Sequence, residues 1–184
     1  MKTGTIRIAA GSVKLLLALI VGFFASQARS LAQSQDDVTV AFLYNFARFV
    51  EWPSGAFANG DAPFTIGFVG RPALADRFSQ AVQGKNIGGR EFAVRKLDDA
   101  TGAAACQIVF VGDAPQASAI IAAVKGKPVL CVGEGESFLA TGGMIAFSRE
   151  GARLVFDVNP GAITAATLSP GEKLTKAARS VKNG

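Results

Sequence analysis

Cys106–Pro115 reads CQIVFVGDAP. Between the polar Gln107 and the turn-forming Gly112 stand Ile108, Val109, Phe110 and Val111, apolar without alternation. Such a run is a strand covered on both faces, the pattern of a parallel sheet with helices above and below it. The same ending recurs in FVGRP (Phe68–Pro72) and CVGEGE (Cys131–Glu136). Each time a Val-Gly closes the strand and a charged residue follows: Arg71, Asp113 or Glu134. The segments after Gly70 and Asp113 carry helical spacing, as in Ile120, Ile121 and Val124. Strands alternating with helices imply β-α-β units, so the predicted fold class is α/β with a mostly parallel sheet.

Outward from this centre, PFTIGFVG (Pro63–Gly70) and PVLCVG (Pro128–Gly133) read as two more buried strands, and REFAVRKL (Arg90–Leu97) as a polar-alternating one. GMIAFS and ARLVFDV, joined by Arg149-Glu150-Gly151, read as a C-terminal antiparallel hairpin. In its second strand Leu154, Phe156 and Val158 share one face, with Arg153 and Asp157 on the other. Ser169-Pro170-Gly171-Glu172 has the form of a helix start, with a Ser N-cap, Pro at the first position and Glu at the third.

Residues 1–32 have the form of a secretory leader. Lys2, Arg7 and Lys14 precede the apolar run Leu15–Ala25, and SLA at Ser30–Ala32 offers a small-residue cleavage site. The run is well short of the roughly 20 residues that span a bilayer. The expected mature chain therefore begins at Gln33, is periplasmic, and forms a single domain over residues 33–184. The formal charge of +5 includes four leader bases, Lys2, Arg7, Lys14 and Arg29, and removing them leaves +1. Bases and acids are then interspersed until Lys173, Lys176, Arg179 and Lys182, which suit the C-terminal end of a last helix. No clustered basic surface of the kind a nucleic-acid binder keeps is visible.

The chain has no His, which removes His-based triads, His-ligated metals and His general bases. No spacing of carboxylates singles out an acid–base pair, and no G-x-G-x-x-G or Walker pattern is present. No catalytic residue, metal or cofactor is therefore expected. Cys106 precedes a strand and Cys131 lies inside one, so each reads as a buried small hydrophobe. If their strands are parallel neighbours, the two stand at different heights, about 10–13 Å apart, too far for a disulfide. The glycines and charged residues at the strand ends, Gly70, Arg71, Gly112, Asp113, Gly133 and Glu134, could form a small-ligand cleft, since such sheets bind ligands outside their carboxyl ends. The simpler reading is that the glycines permit the turns and Asp113 caps the next helix.

AFLYNFARFVEWP (Ala41–Pro53) carries the chain's only Tyr and only Trp. A helix beginning at the Ser34 cap and ending near Glu51, ahead of Pro53 and Gly55, places Val38, Phe42, Phe46 and Phe49 on one stripe and Leu43, Ala47 and Val50 on the next. The Phe stripe suits a sheet-covering core. Tyr44 and Trp52 combine an apolar body with a polar tip, as residues at interfaces do.

Together with FTIGFVG, CQIVFVG, GGMIAF (Gly142–Phe147) and RLVFDVN ending at Asn159, this segment resembles the YfiR family of periplasmic regulators. The resemblance implies a three-layer α/β/α sandwich, with Phe42, Phe46, Phe49, Pro53, Gly142, Gly143 and Asn159 in structural roles. It also implies a non-enzymatic protein that binds the periplasmic part of an inner-membrane signalling protein, a YfiN-like diguanylate cyclase or a sensor kinase. Cyclic-di-GMP signalling and biofilm control are the setting. An outer-membrane lipoprotein as second partner, and a homodimer, are compatible with it. Members of the family often pair a Cys in the first strand with the one matching Cys106, and this chain has Gly67 there. The alternative function is a periplasmic small-ligand-binding domain using the strand ends, and an envelope enzyme comes third.

Overall fold

A computed structural model describes residues 35–112 and 114–182. Contacts divide the chain into Met1–Asp37, of which residues 35–37 are described and helical, and Val38–Gly184, whose architecture follows. The expected leader at 1–32, Gln33, Ser34 and Asp113 lie outside the described residues.

Helical residues 35–49 (α1) lead directly into β1 (Val50–Glu51). There follow β2 (Phe64–Val69), α2 (Pro72–Ala81), β3 (Asn86–Ile87), β4 (Arg90–Leu97), β5 (Ile108–Val111), α3 (Ala117–Val124), β6 (Leu130–Glu134), α4 (Glu136–Ala140), β7 (Ile145–Glu150) and β8 (Arg153–Val158). The chain then forms α5 (Pro160–Ala165), β9 (Ser169–Pro170), α6 (Glu172–Ala177) and β10 (Ser180–Val181). Eight strands make one sheet in the order β10-β8-β7-β6-β5-β2-β4-β3. From β4 to β7 the neighbours are parallel; β8 returns antiparallel to β7, and β3 antiparallel to β4. The hairpin is tighter than the three-residue connection read from the sequence: Glu150 pairs with Arg153 across Gly151 and Ala152, with Gly151 at φ +60.

Chain direction explains the layers. The β2-α2-β4 crossover moves one way along the sheet and β5-α3-β6 the other, so two right-handed crossovers cover opposite faces. Phe64, Ile66 and Phe68 face α1 and α2, in register with Phe92 of β4 and Phe110 of β5. Gly67, Val109, Cys131 and Ala146 face α3, α4 and the connection that carries β4 over to β5. The result is a three-layer α/β/α sandwich with helices on both faces of a mostly parallel sheet.

α1 presses on the sheet with a stripe turned from the one its phenylalanines suggest. Leu43, Phe46, Ala47 and Val50 are buried, Phe42 and Phe49 are half-buried, and Val38 is 40% exposed. Leu43 and Ala47 let the helix approach the sheet closely, with Phe46 buried beside them and the rings of Phe42 and Phe49 flanking. Phe46 reaches deepest, with its ring 4.9 Å from that of Phe156 and 5.7 Å from that of Phe147.

The expected helix start at Ser169 is a strand instead. Ser169 and Pro170 pair antiparallel with Glu51 and Val50, the Gly171 amide donates to the Phe49 carbonyl at 2.9 Å, and α6 begins at Glu172 with Gly171 as its cap. The same pairing ends α1 at residue 49 rather than near Glu51. Pairing with β1 outcompetes the local capping signal. α6 also stops at Ala177, so Arg179 and Lys182 lie beyond the helix whose dipole they were read as serving.

Cys106 and Cys131 are both buried free thiols. Cys131 lies opposite Val109, three residues past Cys106. Burial pushes the thiols up, to about 11 for Cys106 and about 12 for Cys131, so neither is a nucleophile at neutral pH. Asn159 caps α5, its Oδ1 accepting from the Ala162 amide at 3.0 Å. Gly142 takes φ +98 at the turn from α4 to β7, and Gly143 has no side chain because the Phe138 ring lies where one would be.

Candidate functional site

The strand order reverses at β2: its crossover leads one way to β4, while β5 lies on its other side. Open α/β sheets bind ligands outside the carboxyl ends of strands at such a point. Gly70 and Arg71 follow β2 there, Gly112 follows β5, and Gly133 and Glu134 end β6. The topology therefore brings all the described members of the sequence-derived cleft to one edge.

The protein's own side chains occupy that edge. Arg71 runs across Gly112, whose missing Cβ would collide with the Arg71 Cγ, and its guanidinium donates to Glu134 Oε1 at 2.9 Å. Phe138 of α4 covers Gly133, where an added Cβ would sit 2.5 Å from its ring. What remains is a cavity of about 220 Å³ beside Glu134 and Phe138. The glycines are there for internal packing as much as for turns. Gly112→Ala is accordingly expected to dislodge Arg71 from Glu134 and to lower the melting temperature, which calorimetry checks; an unchanged melt would mean that Arg71 can reroute without loss.

Tyr44 and Trp52 stand at the two ends of a row of rings. Tyr44 meets Phe92 at 5.7 Å, Phe92 meets Phe64 at 5.6 Å, and Phe64 meets Trp52 at 5.1 Å. The polar tip of Trp52 is engaged within the body, its Nε1–H donating to the Ala47 carbonyl at 3.0 Å. Tyr44 is half-buried, with the Lys85 Nζ at 5.1 Å and the Arg48 guanidinium at 5.8 Å from its ring centre. Among the described residues neither cation has a carboxylate partner, so this end of the row is a cationic, aromatic surface.

Sequence reading missed a charged centre at the opposite edge of the sheet. Asp157 of β8 is 1% exposed and accepts two bonds from the Arg179 guanidinium, through Nε at 2.9 Å and through Nη2, with a third from the Ser180 hydroxyl at 2.7 Å. Glu150 and Glu136 flank Arg179 at 3.6 and 3.9 Å, and Lys182 reaches Glu136 at 3.2 Å. The polar alternation of ARLVFDV was the available signal, but the partner lies more than twenty residues downstream.

The hydrogen bonds from Arg179 hold the Asp157 carboxyl below its ordinary range, against the opposing effect of burial. A folded-state pKa below the unfolded value of about 3.9 stabilises the fold fully above that value and loses the contribution as pH falls through the folded pKa. Asp157→Asn should therefore be less stable than the parent at pH 7 and approach it near pH 2–3. Denaturant melts at the two pH values check this; an equal deficit at both would assign the cost to packing instead.

These features define a three-layer α/β domain whose switch-point crevice is closed by its own Arg71 and Phe138. Among the described residues no three His, Cys, Asp or Glu side chains gather to hold a metal, and no helix is long and apolar enough to cross a membrane. The chain belongs to the YfiR/HmsC-like family, a family of regulatory proteins, whose model matches residues 36–179. No curated protein matches it. A crystal structure of a conserved domain protein from Vibrio cholerae O1 biovar El Tor is similar at 12% identity and TM-score 0.49, over 65% of this chain and 55% of that one.

Proposed function

We propose that this chain is an exported, non-enzymatic regulator that binds the periplasmic part of an inner-membrane diguanylate cyclase and modulates cyclic-di-GMP signalling. Family membership over residues 36–179 carries the reading. The proposed contact is the aromatic row, entered at Tyr44, whose flanking Arg48 and Lys85 favour an acidic partner segment. Trp52 supports the row from the other end.

A photo-crosslinking residue in place of Tyr44 tests this in intact cells. The expected adduct is an inner-membrane protein with a cyclase domain, formed by a chain that begins at Gln33 in the periplasmic fraction. Deleting the gene should shift cellular cyclic-di-GMP severalfold. Absence of the adduct together with an unchanged cyclic-di-GMP level would overturn the proposal. The ligand-binding alternative requires the Arg71–Glu134 pair to open, and metabolite retention by the purified protein would favour it.

A further inference from the structure

A second cavity, of about 390 Å³, lies between α3 and α5, toward the start of β6, and Thr141 stands between it and the smaller strand-end cavity. Its floor is Cys131 near the start of β6 and Met144 just before β7. Ile121 and Val124 of α3 form one wall, and Ala162 and Ala165 of α5 the other. Cys131 is 1% exposed, and its amide donates to the Met144 sulfur at 3.4 Å, so the floor offers no free backbone donor there. The hydroxyl of Thr141, also on the lining, is already engaged with the Phe138 carbonyl at 2.9 Å. The interior is therefore apolar, with its polar groups satisfied elsewhere.

One charged residue lines the space. Lys125 stands at the mouth, at the end of α3, exposed and without an ion pair among the described residues. Pockets that hold small ligands have this composition, an apolar body with a few placed polar groups, and begin at about 300 Å³. With roughly 30 Å³ for each water-sized group, the space takes about a dozen heavy atoms, a ten-carbon acid with its carboxylate.

We propose that this cavity binds a medium-chain carboxylic acid, with the alkyl chain between α3 and α5 and the carboxylate at Lys125. The cavity shares no residue with the Tyr44 surface, so it stands or falls independently of the proposed partner. The occupant is a free amphipathic acid: the space is closed at its floor by Cys131 and Met144 and takes one chain.

The test uses the purified protein labelled with 13C at the methionine methyls, with decanoate and decanol as probes. Decanoate should shift the Met144 methyl resonance with a Kd on the order of 10–100 μM. Decanol, lacking the charge, should bind several times more weakly. Lys125→Glu should weaken decanoate about fivefold, as expected for an exposed ion pair, and leave decanol unchanged. Ala165→Phe, which plugs the mouth, should abolish the shift while the protein still melts cooperatively, and Ile121→Phe plugs from the opposite wall if that variant fails to fold. No shift at millimolar decanoate, or a shift that survives both plugs in folded protein, overturns the site. Equal binding of decanoate before and after Lys125→Glu overturns the assignment of the carboxylate to Lys125.

Discussion

Phe46→Ala will cost about 3–5 kcal/mol of unfolding free energy, the range for emptying a fully buried phenylalanine site. Phe46 is 1% exposed, and its ring meets those of Phe42 at 6.0 Å, Phe147 at 5.7 Å and Phe156 at 4.9 Å. Three rings held by the sheet and by α1 cannot collapse into the space, so the cavity persists and its cost adds to the lost burial. Denaturant melts of the purified protein measure the difference. A loss below about 1 kcal/mol would show that α1 is not seated on β7 and β8 as described.

Gly67→Cys will form a disulfide with Cys106 and raise stability when oxidised. A Cβ built at Gly67 lies 3.0 Å from the Cys106 sulfur, the separation across a disulfide between one Cβ and the partner sulfur. The obstacle is the Leu97 Cδ1, 2.7 Å from the same point, and it is the movable end of a side chain. Closing the loop between positions 67 and 106 restricts the unfolded chain by about 3–4 kcal/mol, less any native strain. For a chain of this size that is a rise of about 6–16 °C in Tm, reversed by reductant. Two alkylatable thiols at positions 67 and 106 in the unfolded, unreduced variant would refute it. The parent protein, with Gly67, should show no response of Tm to reductant.

The strands that decide the fold were legible because they are buried on both faces. Ile108–Val111 and Leu130–Val132 are continuous apolar runs, and no other local structure accounts for them so simply. The rotation of α1 was not legible, since ring size draws the eye to Phe42 and Phe49 while closeness of approach favours Leu43 and Ala47. Nor were α4 and α5, five and six residues long, because one turn and a half shows no period. Ser169-Pro170 carried a sound capping pattern that lost to a distant strand. At the strand ends the sequence named the residues but not their state: that Arg71 would bridge to Glu134 depends on β2 and β6 lying on either side of β5. Asp157 and Arg179 likewise meet only because β10 returns beside β8.

The short ribbon in which Val50 and Glu51 pair with Pro170 and Ser169 has a consequence for how the chain assembles. α1 precedes every other element of the described domain along the chain, yet its rings rest on Phe147 and Phe156, and its end is fastened by residues 169–171. The most aromatic segment of the protein therefore waits, unburied, until nearly all the rest has been made, and the loop it must close is among the longest in the fold. Such late, non-local closure slows folding and leaves an adhesive helix exposed in the meantime. Truncation before residue 169 should leave that helix undocked, and the product would be recognised by aggregation rather than by a lower melting temperature.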